Sequence, residues 1–136
     1  MQLEFTRKSE LALRALGIIS RTSEGFVNGP EIANALSISP HYLTTVMAPL
    51  SRAGWVRSAT GPTGGYRLST DISNYSVLDL VESIEGAIDK ESCMHGDLMR
   101  PIQEPCALHE PWTRAREALL KELETANLAE VLGLQP

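Results

Sequence analysis

Cysteine is scarce in this chain, with two residues in 136. That scarcity argues against a disulfide scaffold and points to thiols that are free, metal-bound or redox-active. No apolar run reaches the roughly 20 residues that a membrane-spanning helix needs. The N-terminus also lacks the basic-then-apolar layout of a secretion signal, so the expected location is cytoplasmic, with no membrane partner. There is no nucleotide-binding glycine motif and no recognisable nucleophile–base pair, and an enzyme is therefore not expected. Internal repeats and low-complexity tracts are missing as well. What is left, 43 % apolar and 21 % charged, is ordinary for one globular domain or a small domain with an extension.

Acidic residues are missing from one window in particular. Nothing between Ser39 and Leu68 is acidic, while Arg52, Arg57 and Arg67 all lie there. Residues 1–70 carry seven Lys/Arg against four Asp/Glu, a net +3, and residues 71–136 carry five against thirteen, a net −8. A positive window in an acidic protein of net charge −5 is either a face for phosphates or an ordinary solvated face.

The chain is readable as a series of short helices. Residues 6–21 place Leu11, Ala12, Ala15, Leu16, Ile18 and Ile19 on a broad apolar face. The stretch GFVNGP then breaks the pattern, and PEIANALSI follows as a second helix with proline in its first turn. In SPHYLTTVMAPLSRAG, Ser39 suits an N-cap, Pro40 the first helical position, and Leu43, Val46, Met47 and Leu50 one buried stripe. Two helices joined so tightly make either a plain helical hairpin or a helix-turn-helix, whose second helix can enter a major groove. WVRSA and YRLS alternate as strands around the turn GPTGG, so a β-hairpin follows the helix pair. That order is the winged helix-turn-helix. SVLDLVESIEG reads as a further helix with Ser76 and Asp79 set for a capping box. Beyond a loop at 87–111, Trp112, Ala115, Leu119, Leu120 and Leu123 form an apolar seam on a long helix that ends near Ala126. A seam left after the core is complete asks for a partner surface, most simply the same helix of a second copy, with a docking site within the chain as the alternative.

The expected fold is therefore mainly α with a small β component (α+β). A winged helix-turn-helix domain spans residues 1–86, a cysteine- and histidine-bearing cofactor loop residues 87–111, and a dimerisation helix with its tail residues 112–136. The candidate DNA contacts are Ser39, His41, Tyr42, Thr44, Thr45 and Arg52 from the second helix of the pair. From the wing come Arg57, Thr60, Gly64, Tyr66 and Arg67, with the arginines placed for phosphates.

Taken together, SELALRAL, ISPHYLTTVMAPLSRAGWV, GPTGGYRL, SVLDLVESIEG, PCALHEPW and LAEVL resemble the Rrf family of bacterial winged helix-turn-helix transcription regulators. The resemblance covers essentially the whole chain. It implies a homodimer bound to a dyad-symmetric operator in double-stranded DNA, with an iron–sulfur cluster in the loop of many members. Two positions depart from the family pattern. Thr60 stands where relatives often carry an arginine, and Pro49 lies inside the recognition helix, where it removes a backbone donor and should bend the last turn.

The loop holds both cysteines and two of the three histidines in the spacing C-x-H-x10-C-x2-H: Cys93, His95, Cys106 and His109. Two thiolates with two imidazoles can close a tetrahedral zinc site or hold a 2Fe–2S cluster with mixed ligands. Against the resemblance, Cys93 matches the first and Cys106 the last of three family cysteines, and the middle one is missing. His109 matches a family histidine, and Glu10 matches a position at which some members supply a carboxylate from the other subunit. The expected ligand set is thus Cys93, Cys106, His109 and Glu10, with His95 first in reserve and Asp97 and Glu104 behind it. A 2Fe–2S cluster is favoured over a thiolate-poor cubane, and zinc, or no metal with a Cys93/Cys106 thiol switch, stands as the alternative.

Overall fold

The computed structural model describes residues 4–22, 24–87 and 107–134. Helix α1 (Arg7–Ser20) starts where Thr6 accepts the Ser9 N–H on its side chain, and it buries Leu11, Ala12, Ala15, Leu16 and Ile19. Helix α2 (Gly29–Leu36) is capped by Asn28, carries proline in its first turn, and buries Ile32, Ala33 and Leu36. Helix α3 (Pro40–Arg52) is capped by Ser39 and buries the expected stripe of Leu43, Val46, Met47 and Leu50. Pro49 is buried too, and the helix runs through it to Arg52. A proline at this depth costs one donor, yet its own carbonyl still accepts the Ala53 N–H at 2.9 Å.

Strands β1 (Val56–Ala59) and β2 (Gly65–Leu68) form an antiparallel hairpin in which Arg57 faces Arg67 and Ser58 faces Tyr66. Trp55, expected in the first strand, lies just before it and is buried. Its N–H donates to Leu50, its carbonyl accepts from Ser69, and its ring meets that of Tyr75 at 4.7 Å. These contacts fix the hairpin base to α3. A 3-10 turn (Ile72–Asn74) leads into helix α4 (Val77–Glu85), where the Ser76–Asp79 capping box forms in both directions.

Helix α5 (His109–Thr125) is followed by the short helix α6 (Leu128–Val131). Here the structure departs from the sequence reading, which treats the core as complete before the long helix begins. Leu128 is fully buried among the residues of α1, α3 and α4 that make the core. The return is pinned by backbone bonds from Val77 N–H to Ala126 and from Leu128 N–H to Tyr75, both 2.9 Å. No helix among the described residues is long and apolar enough to cross a membrane.

Candidate nucleic-acid interface

The α2–α3 turn is made by a left-handed Ser37, φ 56°, whose N–H and that of Ile38 close onto the end of α2. Ser39 then spends its hydroxyl on the Tyr42 N–H at 3.0 Å. What α3 offers outward is His41, Thr44, Thr45 and Arg52, all exposed. The Thr44 hydroxyl donates back to the Pro40 carbonyl at 3.2 Å, which leaves its oxygen as an acceptor toward solvent. Tyr42 is half-buried and packs against the core, so only part of its ring and hydroxyl face outward.

The wing is held by two devices. Val27, from the stretch read as a plain helix breaker, forms an isolated bridge to Tyr66, with N–H···O bonds of 2.7 and 2.8 Å in the two directions. The glycines allow this approach. A Cβ on Gly65, at φ 137°, would collide with the Val27 carbonyl, and one on Gly64 would collide with that of Ala59. Tyr66 is half-buried on the core side of the hairpin, and Thr60 is exposed at the turn.

On the other face of the hairpin the two arginines stand directly opposite each other. Both guanidinium groups lie over the Phe26 ring, Arg57 at 5.8 Å and Arg67 at 5.7 Å from its centroid. Phe26 escaped the sequence reading because a lone aromatic in a glycine-rich break carries no periodic signal. Only the bridge at Val27, seen in the structure, explains why its predecessor turns outward.

The ligand candidates divide. Cys93, His95 and Cys106, with Asp97 and Glu104, lie outside the described residues. Glu10 is exposed on the first turn of α1, and His109 is exposed as the first residue of α5. Neither side chain has a hydrogen-bond or ion-pair partner among the described residues. The buried hydroxyl of Ser9, next to Glu10, donates to Glu85 at 3.0 Å. It is thus Ser9, and not the exposed Glu10, that meets the end of α4. Among the described residues no three His, Cys, Asp or Glu side chains come together.

The family model described as Rrf2, iron-dependent transcriptional regulator, matches residues 5–133. Protein aau3 of Rhizobium meliloti is 27 % identical over 135 residues, covering 98 % of this chain and 88 % of that protein. The HTH-type transcriptional regulator IscR of Serratia proteamaculans is 29 % identical over 140 residues, covering 98 % and 81 %. The solved structure of CymR, the global cysteine regulator of B. subtilis, superposes with a TM-score of 0.79 at 26 % identity, covering 99 % of this chain and all of that one.

Proposed function

The chain belongs to the Rrf2 family of transcriptional regulators, and from that premise we propose that it is a dimeric operator-binding regulator governed by an iron–sulfur cluster in the loop after α4. The winged helix-turn-helix fold, shared with CymR, and the regulators among its relatives support transcription control rather than catalysis. Its place of work is then the cytoplasm, where a bacterial chromosome lies.

The observation that carries DNA binding is the coincidence of two surfaces. The outward face of α3 presents His41, Thr44, Thr45 and Arg52, and the wing beside it presents Arg57 and Arg67, with no acidic residue between Ser39 and Leu68. Hydroxyls and an imidazole can read base edges, while guanidinium groups on the wing neutralise phosphates without reading sequence. Replacing Arg57 or Arg67 by alanine should weaken binding to every duplex alike and lower the salt slope by about one. Changing His41 or Thr44 should instead shift sequence preference. If both arginine variants kept the affinity and salt slope of the parent, the wing would have no part in binding.

The donor set fits a mixed-ligand 2Fe–2S cluster, which takes four protein ligands. Cys93 and Cys106 would supply thiolates, His109 an imidazole nitrogen and Glu10 a carboxylate. The last two are exposed and uncommitted among the described residues. A bound cluster would supply a centre that oxidants and nitric oxide can alter. Glu10 donated from the partner subunit would let the state of the loop bear on the spacing of the two α3 helices. The test is the visible spectrum of protein purified without oxygen, with iron and acid-labile sulfide counted per chain. A brown protein that loses iron on Cys93→Ala and Glu10→Ala supports the ligand set.

A second reading keeps the operator binding and replaces the cluster with a Cys93/Cys106 thiol switch or a protein partner. It draws on the presence of only two cysteines and on the likeness to a protein described as a cysteine regulator. Colourless protein whose operator affinity responds to peroxide would favour this reading over the first.

A further inference from the structure

The pairing of Arg57 with Arg67 needs a physical account. Val56 is buried and Leu68 packs against the core, so the residues next to them in each strand point to the opposite face. Arg57 and Arg67 are directly across from one another there, and like charges so placed repel. Neither is joined to an acidic side chain among the described residues, although Glu24 lines the same shallow groove as Arg67. Instead both cations lie within 6 Å of one aromatic ring, that of Phe26. The backbone that carries the ring is pinned, because its neighbour Val27 is buried and bonded in both directions to Tyr66, and Phe26 itself is half-buried. An aromatic face attracts a guanidinium through its quadrupole and restricts the freedom of a long side chain. Two concentrated positive charges over one ring, joined to no acidic side chain among the described residues, suit an external anion.

We propose that Phe26 is a positioning residue that gathers the Arg57 and Arg67 guanidinium groups on the outward face of the wing and presents them, already ordered, to backbone phosphates of the DNA. The inference rests on the DNA-binding reading above and adds to it a residue with no phosphate contact of its own. Ordering the pair beforehand removes an entropic cost from the binding step and offsets the repulsion between the arginines in the free protein.

The experiment is a mutant cycle read by fluorescence anisotropy on a duplex that the full-length protein has selected from a random library, repeated over a range of salt. Phe26→Ala should weaken binding by about 5- to 30-fold, the equivalent of two exposed cation–π contacts. Phe26→Trp should restore it, whereas Phe26→Leu, apolar but without a quadrupole, should not. In an Arg57→Ala, Arg67→Ala background the further loss from Phe26→Ala should shrink to less than about twofold. Thermal unfolding of each variant reports whether the wing still folds. A loss from Phe26→Ala that is as large without the arginines as with them would overturn the proposal, as would full activity of Phe26→Leu. Parent protein that bound no duplex in a salt-dependent way would instead sink the DNA reading itself. Parent binding that ignores all three residues would leave DNA binding standing and this face unused by it.

Discussion

Two residues with positive φ make opposite predictions. Gly65 stands at φ 137° with the Val27 carbonyl where a Cβ would be, so alanine there meets both a strained backbone and a collision. Gly65→Ala should destabilise the fold by roughly 1–3 kcal/mol or more and loosen the Val27–Tyr66 bridge. Ser37 occupies the left-handed region at φ 56° in the α2–α3 turn, exposed, where its Cβ is an expense. Ser37→Gly should raise stability, by up to about 1 kcal/mol, and urea unfolding of the two variants reads both signs. Asp71 gives a pH prediction on the same scale. The Ser73 hydroxyl and N–H both donate to its carboxylate, at 2.7 and 2.9 Å, and hold its pKa below the usual value. A lowered folded pKa makes the cap of the 3-10 turn fully effective above the ordinary carboxylate range of about 4. It is lost only as pH falls through the folded pKa. An NMR titration of the Asp71 carboxyl should show a midpoint below that of an unstructured aspartate, and Ser73→Ala should move it back up.

The elements show which signals a sequence carries and which it hides. Helices α3 and α4 were legible because cap and stripe are local: Ser39 and Ser76 each accept a backbone N–H three residues on, just before an apolar face of helical spacing. Helix α1 was legible from its stripe, and Thr6, read as its first residue, is its cap. The hairpin was legible from its glycine turn flanked by alternation. The bridges Val27–Tyr66 and Ser76–Asn127 were not, since each is a single pair between distant segments with no period to announce it. The same holds for Phe26, whose meaning depends on where the hairpin arginines arrive in space. Asn127 shows how much such a joint can carry. Its side chain caps α6 by accepting from Ala129 and Glu130, donates to the Ser73 carbonyl at 2.7 Å, and stands beside the fully buried Leu128. Asn127→Ala removes a cap and a bond between distant segments together and should cost about 1–3 kcal/mol. Ser76→Ala removes one half of a capping box and should cost about 1 kcal/mol. Denaturant unfolding of both variants should give that order. Equal costs would mean that the joint to α6 adds nothing to a simple cap.

At the scale of the whole molecule the question is what covers α5. The helix is 17 residues long and none of its side chains is fully buried. Its C-terminal Leu123 packs against the core, but Leu119 remains 45 % exposed and Leu108, just before the helix, 43 %. Trp112 and Leu120 are half-covered. Apolar surface left in water costs roughly 25 cal/mol per Å², and the C-terminal end of the helix is held on the core through Ala126 and Leu128 with this face outward. Pairing with the same helix of a second chain would cover the seam and would place two winged domains side by side, as a dyad-symmetric operator requires. In a symmetric pair each substitution acts twice, so Leu119→Glu would set a charge on both chains of the seam. It should yield monomers by light scattering, with a far-UV spectrum like that of the parent because no core residue is touched. Loss of the second half-site should weaken binding to the full operator steeply, while the salt-dependent affinity of each wing for random duplex persists. A Leu119→Glu protein that stayed dimeric would place the interface elsewhere. One that became monomeric yet kept full operator affinity would remove the need for two copies at all.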